Sequence, residues 1–223
     1  MKKYFFDLFI IATCFFFSFF LTYEHNTLEN RKETYKVLMA IQRDLKMDTT
    51  AYNRILSRLE KVEQILLEAL NGEIGIKDYD KFHDLLTALR AYHGVNIQKY
   101  GYNYLKEDTR SLVFLTGTLP HRIGFYHHSS TEGNFAEFNQ DYYDICFENH
   151  KQLFSIFPKY LHPDSTISVQ AINNGARVFL ESDYWMGRVA LTHRQVIAYN
   201  IPLNRLNKKL AIDLLNLIEK ELY

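Results

Sequence analysis

The sequence predicts an all-α protein: an N-terminal transmembrane helix continues into a long helix that packs in an antiparallel helical bundle. Three observations predict it. An apolar run from Tyr4 to Tyr23 carries Asp7 as its one charge, and about 20 residues of helix span about 30 Å of hydrocarbon. No Gly or Pro occurs before Gly72, and Leu38, Ile41, Leu45, Tyr52, Ile55, Leu59, Val62, Leu66 and Leu70 share one helical stripe that Asp48 interrupts. Hydrophobic residues make up 47% of the 223, enough for a core, whereas 9 Gly and 4 Pro are too few for a turn-rich sandwich or barrel.

These observations divide the chain into a short flank at 1–3, a span at 4–23 and a bundle domain at 24–223, with 24–71 as its spine. Lys2 and Lys3 would also suit a cleaved signal peptide, but Phe-Phe-Leu-Thr-Tyr at the end of the run holds no pair of small residues for cleavage. A signal anchor is the reading. Lys2 and Lys3 lie closer to the span than Arg31, Lys32 and Lys36, which are interleaved with Glu24, Glu29 and Glu33. This places the N-terminus in the cytoplasm and the domain on the outer side of a bacterial inner membrane. The lipid bilayer is then the first partner.

The spine's stripe suits the chain's own later helices, a protein partner or a parallel homo-oligomer. Asn71-Gly72 ends it, since Gly takes the left-handed C-terminal conformation freely. Asp78 or Asp80 caps a second, antiparallel helix through Leu85, Leu86, Leu89 and Tyr92, closed by His93-Gly94. A short helix follows around Tyr100 to Lys106. Thr118-Leu119-Pro120 reads as an N-cap with Pro in the first turn. His121 to Phe157 is helical with an interruption at Ser129 to Gly133, and Pro158 stops it. Ile167 to Leu180 reads as loop or short helix, and from Ser182 the pattern is helical to the end, with a kink at Pro202.

Asn26, Glu29, Asn30, Arg31, Lys32 and Glu33, followed by Leu38, Ile41, Asp44-Leu45 and Asp48, resemble an uncharacterised family of short bacterial single-pass membrane proteins. Tyr102-Asn103-Tyr104-Leu105-Lys106 is similar to that family's Tyr-x-x-Leu-Lys segment, and Leu214 to Leu222 to its C-terminal helix. Thr27 stands where the family has a junction Trp. The resemblance implies an all-helical domain on one span, and no reaction.

Lys plus Arg and Asp plus Glu number 26 each, so no basic field draws nucleic acid. Cys14 lies in the apolar run and Cys146 far from it, so no disulfide is expected. His121, His127, His128 and His150 invite a metal-dependent hydrolase as the alternative function, yet no His-x-x-x-His or Glu-x-x-His pair joins them. Neither a nucleophile elbow nor a phosphate-cradling Gly loop is present. The reading is therefore not an enzyme, with no cofactor, no metal and no catalytic residue: a membrane-anchored scaffold, sensory or protein-interaction module of the cell envelope. The candidate functional residues are Asp7 and Asp48, which break the long helix's pattern, and Arg188, His193 and Arg194, a cationic cluster near Trp185.

Overall fold

An unbroken run of helix-compatible residues lets α1 extend over Lys2–Leu70, about 100 Å at about 1.5 Å per residue. A computed structural model describes residues 2–107, 115, 117–156 and 169–222, with the side chains of 2–12, 133–134 and 169–171 outside that description. The described residues form an all-helical protein without strands. After α1 come α2 (Tyr79–Arg90), α3 (Tyr100–Glu107), α4 (Leu119–Thr131), α5 (Gly133–Ile156), α6 (Val169–Leu180), α7 (Asp183–Gln195) and α8 (Ile201–Leu222).

The chain turns at Gly72, whose φ of 72° only a residue without Cβ adopts cheaply. It then retraces the spine. Lys81 pairs with Glu68 (2.7 Å), the Gln98 amide with Asp48 (2.9 Å), the Gly101 amide with Asp44 (2.6 Å) and Tyr104 with Glu33 (3.1 Å). Spine numbers fall as chain numbers rise, so this return is antiparallel. α8 lies antiparallel as well, with Arg205 on Glu60 (2.9 Å) and Gln42 on Glu219 (3.3 Å).

The expected stripe is the core. Its members from Leu38 to Leu66 are all buried, and only Leu70, at 36%, is exposed. The core has two halves. Near the C-terminal end of α1, Ile55, Leu59 and Leu66 pack with Phe82, Leu85, Phe179 and Trp185. Nearer its start, Leu38, Ile41, Leu45 and Tyr52 pack with Leu105, Ile123, Tyr126 and Leu214. The seam is thus filled by this chain's own helices.

Several local expectations change. α2 ends at Arg90, not at Tyr92, and 91–99 is a connector without regular secondary structure. Tertiary contacts take it there: the Tyr92 ring packs tilted against Tyr142 and edge-on against Tyr143, and Ile97 is buried. Asp78 does hold the N-cap position, but its carboxylate accepts the Gly75 N–H (2.8 Å) rather than a helix amide. From Val169 to Leu180 the chain is a short helix, so of the two readings the loop is set aside. Pro202 acts through the turn before it: Val196–Asn200 is a π-helical turn in which the Ile201 N–H reaches back to the Val196 carbonyl. A wider turn spares the carbonyl that the proline ring would otherwise meet.

Among the described residues no helix is long and apolar enough to cross a membrane. The described part of the structure therefore gives no support to the expected N-terminal transmembrane helix, whose range 4–23 begins among side chains outside the description. From Thr13 to Glu33 α1 has no buried residue, and Phe15, Phe16, Phe17, Phe19, Phe20 and Leu21 are each more than half exposed, on all sides of the helix.

Candidate functional site: a buried carboxylate joint on the spine

Asp48 breaks the apolar stripe and is nevertheless fully buried, at 0% exposure. A carboxylate so placed needs hydrogen-bond donors. Two are supplied: the Gln98 backbone N–H donates to Oδ1 (2.9 Å) and the Tyr126 hydroxyl to Oδ2 (2.8 Å). One turn earlier Asp44, also buried, accepts the Gly101 N–H (2.6 Å). That contact requires glycine, because a Cβ at 101 would sit 2.5 Å from the Ile41 nitrogen. The two aspartates therefore tie the connector, α3 and α4 to α1, just on the N-terminal side of the level where the halves of the core meet.

Burial dominates the electrostatics. It pushes the Asp48 carboxyl up to about 6; the bonds from Gln98 and Tyr126 pull the other way, and Asp44 adds to the rise. Burial, with Tyr52 and Asp48 beside it, drives the Tyr126 phenol far above its ordinary range, so it stays a donor. Tyr52 is raised to about 12 by burial, and its hydroxyl neighbours Ser130 and Tyr126. Neither the Tyr52 nor the Ser130 hydroxyl has a hydrogen-bond partner. His127 is buried, stacks on Tyr102 with ring centroids 4.2 Å apart, and has partners for neither ring nitrogen. Burial lowers it to about 4, with Lys99 contributing, so it is neutral.

This arrangement can hold or pass a proton. It cannot touch a substrate, since Asp48 has no exposed surface; its partner Tyr126 walls a cavity of about 280 Å³ together with Phe125, Leu210, Leu214, His121, Arg122 and Asp213.

The other expected residues do not join Asp48. The side chain of Asp7 lies outside the described residues. Arg188 is committed inside the bundle: its Nε donates to Asn149 Oδ1 (2.7 Å) and its Nη2 to the Ile145 carbonyl (3.3 Å). Asn149, fully buried, in turn donates to the Leu89 carbonyl (2.9 Å) and to Thr192 Oγ1 (3.2 Å), so one amide binds α2, α5 and α7 together. His193 and Arg194 follow Arg188 on α7 at about 140° and about 240° of helical rotation, which spreads the three rather than gathering them. Arg194 is exposed, and His193 is half-buried with a buried Nε2 that has no hydrogen-bond partner. Among the described residues no group of three His, Cys, Asp or Glu could hold a metal ion. Cys146 is core, its thiol raised to about 12 by burial.

Tyr126, Ser130 and Asn149 escaped the sequence reading. A polar residue inside an apolar stripe signals Asp48, but nothing local marks its partners, which come from positions 50 and 78 residues away. The buried Asn200, at the end of the π-helical turn, and the buried Asn204 and Asn207 on the last helix were missed for the same reason. The chain matches no family model, and no curated protein or solved structure shows detectable similarity to it.

Proposed function

We propose that the chain is a single-pass, membrane-anchored helical module of the bacterial inner membrane, with its bundle on the outer side, serving a sensory or scaffold role. One observation carries the reading: the exposed, Phe-rich start of α1 belongs to the same unbroken helix as the bundle's spine. Exposed apolar surface of that kind is favourable only when something covers it, and lipid suits a helix that is apolar on every side. A tilt or rotation of the anchor then reaches the bundle without a hinge. The resemblance at Asn26 to Glu33 and at Tyr102 to Lys106 points the same way.

Since the stripe from Leu38 to Leu66 is occupied, a partner meets the spine on its outward face, where Met39 and Met47 are exposed among Arg43, Lys46 and Arg54. Parallel copies in register would oppose these cations, so an acidic partner chain fits that face better than a second copy.

Cys14 and Cys146 provide the test. In intact membranes a water-soluble maleimide should leave both unlabelled, Cys14 shielded by lipid and Cys146 by the core, and alkaline carbonate should leave the chain in the membrane pellet. Labelling of Cys14 in intact membranes, or release into the supernatant, would refute the anchor. A reporter active only outside the cytoplasm, fused after Tyr223, reads the orientation.

A further inference from the structure

We propose that the cavity between α4 and α8 is a binding site for a small apolar zwitterion, an α-amino acid with a large aliphatic or aromatic side chain. The site goes beyond the anchoring proposed above and does not depend on it.

Two helices build the cavity with the same spacing. On α4, Arg122, Phe125 and Tyr126 stand at i, i+3 and i+4; on α8, Leu210, Asp213 and Leu214 do the same. Each helix therefore gives the cavity one charged side chain and two apolar ones, and His121 completes the lining. Tyr126 and Leu214 are buried, and the Tyr126 hydroxyl is held by Asp48 (2.8 Å), so this wall is in place before a ligand arrives. Phe125, by contrast, is 52% exposed. An aromatic ring left half in water beside a walled space gains when an apolar group covers it.

The charges select the ligand's polar end. Arg122 and Asp213 are exposed, line one cavity, and form an ion pair neither with each other nor with any other described residue. A plain carboxylate would meet the like charge of Asp213, and a plain amine that of Arg122. A molecule carrying both charges suits both residues: its carboxylate accepts from the Arg122 guanidinium, and its ammonium donates to the Asp213 carboxylate. An α-amino acid holds the two groups on one carbon, from which its side chain reaches the apolar lining. The size agrees. A cavity of about 150 Å³ takes benzene, so about 280 Å³ takes a ring or a branched aliphatic group together with the ammonium and the carboxylate. A bound molecule would tie α4 to α8 beside the Asp48 joint.

The experiment titrates the full chain in nanodiscs by calorimetry, with empty nanodiscs subtracted to remove partition into lipid. The probes are L-phenylalanine, L-leucine, L-alanine without the large side chain, phenylacetate without the ammonium, and phenethylamine without the carboxylate. Phenylalanine or leucine should bind saturably, and each of the other three about fivefold more weakly or worse. Arg122→Gln should erase the preference for phenylalanine over phenethylamine, and Asp213→Asn the preference over phenylacetate. Both residues are exposed, so the unfolding midpoints of the two variants should match the wild type. No saturable binding of phenylalanine or leucine, phenylacetate or phenethylamine binding as tightly as phenylalanine, or preferences that survive both substitutions would each overturn the site. If a variant does not fold, the ranking of the five probes on the wild type decides alone.

Discussion

Replacing Gly101 by alanine tests the close approach on which the joint depends. The added Cβ would lie 2.5 Å from the Ile41 nitrogen, and 2.8 Å from both the Ala40 carbonyl carbon and the Ile41 Cα. All three are backbone atoms of α1, so no side chain can rotate aside. α3 must withdraw by about 1 Å to restore ordinary contact, since heavy atoms pack at about 3.5–4 Å. That movement stretches the 2.6 Å bond from the Gly101 amide to Asp44 beyond useful length. Losing a hydrogen bond to a charged group costs about 1.5–3 kcal/mol and overpacking about 1–3 kcal/mol, against about 1 kcal/mol gained by placing Ala rather than Gly in a helix. The net expectation is a loss of about 2–4 kcal/mol, following those same magnitudes. Gly124 in α4 and Gly187 in α7 are the controls, because a Cβ at either meets nothing within 4 Å. The same substitution there should stabilise by up to about 1 kcal/mol. Denaturant unfolding of the full chain in detergent, followed by circular dichroism, measures all three. Equal shifts at the three sites, or a Gly101→Ala protein as stable as the wild type, would refute the reasoning.

Asn149→Ala should destabilise by about 2–4 kcal/mol in the same assay, because it strips acceptors and donors from Arg188, Thr192 and the Leu89 carbonyl at once; a loss under about 1 kcal/mol would show that water replaces the amide. His127→Phe keeps the ring on Tyr102 while removing a group that must stay neutral. With the folded value lowered to about 4, the native state loses His127's share of stability as pH falls from the unfolded value near 6.5 toward 4. The variant should therefore gain about 2 kcal/mol over wild type at pH 5, and the gain should shrink toward neutral pH. A pH-independent difference would mean that His127 is not buried neutral. In the membrane, Cys14 should resist a water-soluble maleimide until the bilayer is dissolved, whereas Cys146 should need unfolding of the bundle as well, being buried at 1% exposure.

Much of the architecture was legible because it is periodic. The steps from Leu38 to Leu66 give the buried face of α1 directly, and Gly72 marks its end through a backbone conformation that few other residues tolerate. Helix ends set by long-range contacts were only roughly legible: His93-Gly94 marks an end to α2, but the helix already stops at Arg90, where Tyr92 and Ile97 find partners elsewhere. The Arg188 cluster illustrates the same limit. Its spacing on α7 looked like a cationic cluster, but the Arg188 guanidinium donates inward to an asparagine 39 residues earlier.

The sequence by itself determined the helical class, the single long spine and the oddity of Asp48, all of which follow from neighbours three and four positions apart along one helix. Only the tertiary structure decided that Asp48 is wholly buried, that Gln98 and Tyr126 hold it and that Gly101 lets α3 close on Asp44. The physical reason is range. Helix periodicity is a local property, whereas the state of a buried carboxyl depends on donors and on the exclusion of water, both supplied by segments distant in the chain.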